Sequence, residues 1–410
     1  MNIEINKITH YFFCKIIPAI TILYITRELY LKLNSSDFVL YTILFSASIS
    51  LSNLFTGWFC QSNLRFGVND NKQVDSINSY FILLFLSFVC ICFICIFIVS
   101  YNYVNYIAAT LLSLSLSLYN ILYTYIQSKS KSKYVLKMEI IRSLILAGSF
   151  VFLTICNVKL TVLIVLLVYS LSYLVSFISL LGKYIQWVGS ESVKNLPIEY
   201  IKTYIKFGFP MSIWMVIATS YPLIERNIIN YFYPVSISSS YFALSELFNR
   251  GIGIIFIPLI MYVHPLLMKL YDNNYLDFEN MLSKFIKIEL LIGLLSILFC
   301  YFTSSIIIPI LLPGLPLDFV HYSYLFILPP LLWQVAFLAH KKHEASKKTI
   351  RLLLTLSMSV IIYIFMMFIF LYYFSVIYAI LAQVVSLLIY ILISLYYKSS
   401  SREYNINCKL

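Results

Sequence analysis

Long uninterrupted apolar runs recur along the whole chain, and polar residues collect in short stretches between them. A helix that crosses the hydrocarbon core of a bilayer needs about 20 apolar residues, and most of these runs reach that length. Strands of a membrane barrel would instead alternate apolar and polar side chains over about ten residues. The pattern therefore predicts an all-α polytopic membrane protein. The predicted spans cover residues 9–31, 37–60, 79–100, 103–127, 135–157, 160–181, 204–228, 236–264, 285–312, 319–340, 350–371 and 373–397.

A long polar connection separates the first six predicted spans from the last six. It covers residues 182–203, and a second long connection is expected at 265–284. Transporters are often built from two structural repeats with the substrate site between them. We therefore expect about 12 transmembrane helices in two six-helix halves around a central cavity. The predicted division is an N-terminal half at 1–182, a cytoplasmic linker at 183–203, a C-terminal half at 204–398 and a cytoplasmic tail at 399–410.

Composition and charge agree with this prediction. Hydrophobic residues make up 61% of the 410 residues and charged residues only 11%, whereas soluble domains carry about 25% charged residues. The net charge is +12. If the N-terminus is cytoplasmic, the inside loops and tails hold 22 of the 29 Lys and Arg residues and the outside ends hold 3. Because cytoplasmic loops are rich in Lys and Arg, both termini are expected in the cytoplasm, and no nucleic-acid partner is implied.

A few charged residues lie inside the predicted spans, where each costs several kcal/mol unless it faces a partner or a cavity. Lys15 lies in the inner part of the first span, Arg226 near the outer end of the seventh and Arg250 near mid-depth in the eighth. A cavity lined by these cations would suit an anionic, phosphate-bearing ligand, because guanidinium groups match phosphate oxygens. The alternative is that such residues form ion pairs within helices, as is expected for Glu139 and Arg142, or anchor the spans at the interface.

No catalytic, metal or cofactor site is expected from the sequence. Nucleophile–base motifs, phosphate-binding loops and dinucleotide fingerprints are missing. His340 and His343 could suggest a metal site, but the two lysines between them would repel a cation.

One segment gives a more specific indication. The run Gly57-Trp58-Phe59-Cys60-Gln61-Ser62-Asn63-Leu64-Arg65-Phe66 resembles the G-W-x-x-Q-S-x-L-R-F/Y signature of bacterial polysaccharide flippases of the Wzx type. Those proteins belong to the multidrug/oligosaccharidyl-lipid/polysaccharide exporter superfamily. Weaker similarities follow at the family's spacings, and they include Gly208 and Pro210 in Lys206-Phe-Gly-Phe-Pro210, Glu225-Arg226, Tyr241-Phe-Ala-Leu244, and the loop from His340 to Thr349.

The resemblance implies translocation of an undecaprenyl-diphosphate-linked oligosaccharide, such as an O-antigen repeat unit, across the bacterial inner membrane by ion-coupled alternating access. In that picture Lys15, Arg65, Arg226 and Arg250 would bind substrate, and Glu225 and Glu246 would be candidates for ion coupling. Implied partners are the lipid-linked oligosaccharide, membrane lipids, a polysaccharide polymerase and a chain-length regulator. Trp58 and its neighbours could instead shape the end of the second span and anchor it.

Two other functions fit a protein of this composition. A polysaccharide polymerase is also a multispan protein, but it is expected to carry a large extracytoplasmic loop with Arg and His. A drug antiporter of the same superfamily would export small cations, to which a cavity rich in arginine is a poor match.

Overall fold

The structure is a computed structural model that describes residues 5–67, 81, 85, 103–129, 131–188, 198–346 and 348–396. Side chains are described from Phe13 onward, except at positions 188, 198, 200, 261, 262, 265 and 272. No strand occurs in this part of the chain. The helices are α1 (Ile5–Lys32), α2 (Ser35–Phe66), α3 (Val104–Ser128), α4 (Ser132–Ile155), α5 (Val162–Val188), α6 (Ile198–Phe232), α7 (Val235–Asn273), α8 (Tyr275–Leu311), α9 (Leu317–His321), α10 (Leu328–Ala339), α11 (Lys341–Ala345), α12 (Thr349–Tyr373) and α13 (Ala379–Tyr396).

The predicted all-α polytopic membrane fold is confirmed. Ten segments of the described chain are long and apolar enough to cross a membrane, and α1 covers the first predicted span as well. The third predicted span, 79–100, lies outside the described residues except for Phe81 and Phe85. The orientation in the membrane stays a prediction, and we refer to the end where α1 begins as the inner end.

One connection differs from the sequence prediction. The prediction of a long loop at 265–284 is wrong, because α7 and α8 are separated by a single residue, Asn274. The Asn274 side chain accepts hydrogen bonds from the backbone N–H groups of Leu276 and Asp277, so it caps α8 at its first turn. Polar residues there extend the helices instead of breaking them.

The tenth predicted span is interrupted. The range 319–340 contains the end of α9, a 3-10 turn at Ser323–Ile327 and α10. Pro329 and Pro330 stand at the start of α10, where their missing N–H groups cost nothing because the first turn of a helix has no intrahelical acceptor. The same residues cannot continue a helix arriving from the preceding segment.

The helices form two groups that meet along two seams. The N-terminal half contains α1–α5, in which α1 packs on α4, and α3 packs on α2 and α5. The C-terminal half contains α6–α13, in which α12 packs on α6 and α13, and α8 packs on α7 and α10. Between the halves, α2 packs on α6 and α1 on α7. The predicted linker is helical at both of its ends, and residues 189–197 lie outside the described residues.

Candidate functional site

A buried ion triad lies toward the inner end of the N-terminal half. Arg142 and Glu139 face each other one turn apart on α4, with Arg142 Nη2 2.7 Å from Glu139 Oε2. Lys15 of α1 reaches the other carboxylate oxygen at 3.5 Å. Glu139 and Arg142 are 5% and 6% exposed. We call Lys15, Glu139 and Arg142 the inner triad; it holds two cations and one carboxylate.

Tyrosines surround the inner triad. Lys15 Nζ donates to Tyr123 Oη at 3.0 Å, and Arg142 Nη1 donates to Tyr173 Oη at 3.3 Å. The Arg142 guanidinium also lies over the rings of Tyr119 and Tyr173, at 6.0 and 5.2 Å from the centroids. These phenols let two cations stand in the membrane interior beside a single carboxylate, because they offer both oxygen acceptors and ring faces.

A second triad of the same composition lies toward the outer end of the protein. Arg226 of α6 and Arg250 of α7 both pair with Glu246 of α7. Arg226 is 2% exposed and also donates to the Thr42 carbonyl oxygen at 2.6 Å and to Ser46 Oγ. We call Arg226, Glu246 and Arg250 the outer triad.

The Arg250 side chain is the more accessible cation of the outer triad. It is 31% exposed, against 3% for the Arg226 side chain, and its Nε is 3.3 Å from Glu246 Oε2. Tyr41, Tyr169 and Tyr173 interact with it electrostatically. Tyr173 therefore lies between the two triads, since it also accepts from Arg142. Together the two triads and these tyrosines form a row of polar side chains from the inner part of α1 to the outer part of α6, which we call the polar ladder.

The signature glycines let the two halves approach closely along the α2–α6 seam. A Cβ atom at Gly208 would overlap the carbonyl oxygen of Trp58, and one at Gly57 would come within 3.1 Å of Ser212 Oγ. Small residues are typical where membrane helices meet backbone to backbone. Two hydroxyls cross the same seam, because Ser62 Oγ donates to the Tyr204 carbonyl and Ser212 Oγ to the Asn53 carbonyl, each at 2.8 Å.

The remaining signature residues also lie at this seam or at its inner end. Gln61 donates to Met215 Sδ at 3.0 Å, and Trp58 packs edge-on against Phe81. Pro210 stands inside α6. Arg65, in the last turn of α2, interacts electrostatically with His264 of α7. The structure therefore places Arg65 outside both triads, at the inner contact between the halves.

Glu225 and Glu246, the two carboxylates expected to couple ions, each have a polar side chain as partner. Glu225 is 4% exposed and accepts a hydrogen bond from Tyr241 Oη at 2.7 Å. Glu246 is held by both arginines of the outer triad. Their role in coupling stays a prediction.

Sequence reasoning named none of these tyrosines and treated Glu139 and Arg142 as an isolated pair. A signal was present, because Tyr119 and Tyr123, like Tyr169 and Tyr173, are spaced four residues apart and so share one helix face. It also missed Glu289, a fully buried carboxyl on α8, although this residue falls inside the predicted span 285–312.

Solved structures share the fold of this chain over nearly its whole length. A crystal structure of MATE in complex with MaL6 has a TM-score of 0.72 at 12% identity, covering 98% of this chain and 97% of the other. The chain has the MATE fold. An outward-facing multidrug resistance MATE family transporter of the MOP superfamily gives 0.70 at 11%, covering 98% and 96%. MATE in the bent conformation gives 0.66 at 11%, covering 98% and 94%. No protein-family model and no curated protein matches the sequence.

Proposed function

We propose that this protein is an alternating-access membrane transporter with an anionic, phosphate-bearing amphiphile as its substrate. The observation that carries the proposal is the polar ladder with a triad at each end. Each triad has one cation more than it has carboxylates. An excess cation inside a membrane is costly without a partner, so each triad offers a place for a ligand anion.

The sequence resemblance narrows the substrate to an undecaprenyl-diphosphate-linked oligosaccharide. A diphosphate could be held by Lys15 in the inner triad and by Arg250 in the outer one, since these are the more accessible cations. Tyrosine hydroxyls along the ladder could bond sugar hydroxyls, and their rings could stack on sugar faces. The lipid tail would stay in the bilayer. Movement from the inner to the outer leaflet of a bacterial inner membrane, with both termini cytoplasmic, belongs to the same proposal.

Drug antiport is the second candidate, and the structural neighbours favour it. One of them is described as a multidrug resistance transporter, and the fold similarity extends over almost the whole chain. Small cationic drugs would, however, meet two triads with excess positive charge. The charge of the ladder therefore supports an anionic substrate, whereas the fold by itself is compatible with both.

A polymerase is less well supported. The described connections at the outer end are short: α1 and α2 are joined by two residues, as are α6 and α7. Nothing in the described connections at that end provides the large loop with Arg and His that glycosyl transfer of this kind would need.

Ligand binding to the protein in lipid nanodiscs tests the proposal. We expect a fluorescent geranylgeranyl diphosphate to bind more tightly than geranylgeraniol, which has the same tail without the phosphates, and ethidium to bind weakly. Tight ethidium binding with no discrimination between the two isoprenoids would favour drug antiport and contradict the anionic substrate. In proteoliposomes, leaflet exchange of an undecaprenyl-diphosphate-linked sugar should then require the protein.

A further inference from the structure

A buried carboxyl on α8 lies outside both triads. The buried residues of α8, which is described throughout, form one stripe of Phe278, Leu282, Glu289, Gly293, Cys300, Ser304 and Ile308. Their spacings of four and seven residues keep them on one helix face. Glu289 is the only charged member of this stripe, and it is 0% exposed. Neither of its carboxylate oxygens has a hydrogen-bond partner among the described residues.

Glu289 lies between two separate apolar clusters. Toward the inner end, Leu282 packs with Val263 of α7 and Leu338 beside the end of α10. Toward the outer end, Cys300 packs with Phe256 of α7 and Leu331 of α10. Both apolar clusters are formed by α7, α8 and α10, and Glu289 stands on α8 between them.

A second buried oxygen without a partner among the described residues lies on α10. Leu331 packs against Gly293, where a Cβ would overlap its side chain. The cluster partners show that α8 and α10 run antiparallel, so Glu289, four residues before Gly293, faces the turn of α10 that contains Gln334. Gln334 is 7% exposed, and its Oε1 has no partner among the described residues.

A proton on the Glu289 carboxyl would remove its buried charge and provide a hydrogen-bond donor for Gln334 Oε1. A buried carboxylate without a donor costs several kcal/mol, whereas a neutral carboxyl costs far less and gains an O–H donor. One carboxyl and one amide oxygen are too few for a metal cation such as Ca²⁺, which takes six to eight oxygen ligands. We propose that Glu289 and Gln334 form a proton-binding site, in which the protonated carboxyl donates to Gln334 Oε1 and holds the seam between α7, α8 and α10 closed.

Charged groups on the surrounding elements are engaged elsewhere. At the inner end, His264 of α7 and His340 and Lys341 beside α10 all pair with Glu344. Further outward on α7, Glu246 and Arg250 belong to the outer triad. The other described Asp, Glu, Lys, Arg and His side chains on elements packed against α8 lie at the outer end, Asp318 and His321 of α9, or at the inner end, Lys269, Lys342 and His343. Loss of the Glu289 proton would thus leave an uncompensated carboxylate that water must reach, which opens the seam.

Infrared spectroscopy tests the protonation directly. In the protein in nanodiscs at neutral pH, we expect the C=O stretch of a protonated carboxyl that disappears in Glu289→Gln and remains in Glu279→Gln. Glu279 is a matched control, since it lies on the same helix but is part-exposed and paired with Lys342 at 2.8 Å. If the protonated-carboxyl band is the same in wild type and Glu289→Gln, the proposal is overturned.

Amide hydrogen exchange tests the closed seam. After correction for the intrinsic pH dependence of exchange, protection of α8 and α10 should fall as the pH rises in the wild type and in Glu279→Gln. It should stay high at every pH in Glu289→Gln, which mimics the protonated form. Gln334→Leu should shift the midpoint to lower pH, because the protonated carboxyl loses its acceptor. Protection independent of pH in the wild type would contradict the proposal.

A role of this proton in driving transport rests on the proposed function, but its binding does not. Both measurements are made without substrate. If geranylgeranyl diphosphate fails to bind while the Glu289 band and the pH-dependent protection are present, only the proposed function is wrong. If the diphosphate binds and the Glu289 signals are absent, only the proton site is wrong.

Discussion

The inner and outer triads have the same charges but different attachments. The inner triad joins α1 to α4 within the N-terminal half, and its tyrosine partners belong to that half. The outer triad joins α6 to α7, and through Arg226 it also holds Thr42 and Ser46 of α2 in the other half. The inner triad can therefore remain intact when the halves separate, whereas separation at the outer end must break the contacts of Arg226.

This difference suggests a division of roles. A site confined to one half can keep its affinity for an anion in every state of the transport cycle. A site that bridges the halves changes its partners when they move, so its affinity for an anion changes as well. We infer that the inner triad maintains the structure of its half and that the outer triad responds to the conformation of the protein.

The largest expected effect concerns the inner triad. Arg142→Leu leaves the buried Glu139 carboxylate with Lys15 as its only cation, and breaking a buried pair in this way costs about 3–5 kcal/mol. Reversible unfolding in mixed micelles measures this loss. The control is Arg27→Leu, whose pair with Glu28 is part-exposed and should cost about 1 kcal/mol or less. Equal losses in the two variants would contradict a structural role for the inner triad.

A smaller effect is expected from tightening the seam that the outer triad bridges. Gly208→Ala places a Cβ against the Trp58 carbonyl, and overpacking of this kind costs about 1–3 kcal/mol. Spin-label distances across the α2–α6 seam should lengthen, while distances within the N-terminal half should not change. Gly182→Ala is the control, because nothing lies within 4 Å of a Cβ there. Unchanged distances in Gly208→Ala would show that this contact does not hold the halves together.

Ligand binding should depend on the accessible arginine of the outer triad. Arg250→Ala should weaken binding of geranylgeranyl diphosphate by about tenfold to a hundredfold, because a hydrogen bond to a charged group is worth about 1.5–3 kcal/mol. Arg250→Lys keeps the charge and should lose less. Arg27→Ala, whose side chain lies at the end of α1, serves as the control in the same assay. Wild-type affinity in Arg250→Ala would remove Arg250 from the binding site.

The smallest effect is expected for the carboxylate that both arginines share. Glu246→Gln removes a competing anion but keeps the shape of the side chain. Diphosphate binding should therefore become slightly tighter, by about twofold to threefold at this partly exposed site. Leaflet exchange in proteoliposomes should fall less than in Arg250→Ala. A loss of exchange equal to that of Arg250→Ala would instead point to Glu246 as an ion-coupling residue.

The sequence predicted the approximate positions of most of the described long helices because hydrophobic length alone decides whether a segment can cross a bilayer. The prediction failed where capping residues and prolines decide where a helix begins or ends. Asn274 ends one helix and starts the next in a single residue, and the prolines at 329 and 330 stand where a 3-10 turn passes into α10 within a mostly apolar run. The polar residues around Asn274 predict a loop although they lie in helices, and the apolar residues around the two prolines do not indicate where the helix type changes.

The site was predicted only in part for a different reason. Lys15, Arg226, Glu246 and Arg250 are recognisable as charges within apolar runs, and the structure places them in the two triads. Which of them meet depends on contacts between distant helices, such as Lys15 with Glu139, and no single helix contains that information. The signature residues Gly57 and Gly208 were found by resemblance, but their close approach to the opposite helix becomes visible only when both helices are in place.

The single-residue break at Asn274 has a consequence for the outline of the molecule. Helices α7 and α8 have 39 and 37 residues, which at 1.5 Å per residue makes them about 58 and 55 Å long, while the hydrocarbon core is about 30 Å thick. Joined almost without a loop, they should project from one membrane face as a stiff antiparallel hairpin. In electron micrographs of the protein in lipid discs, that projection would serve as a fiducial that distinguishes one half of the particle from the other.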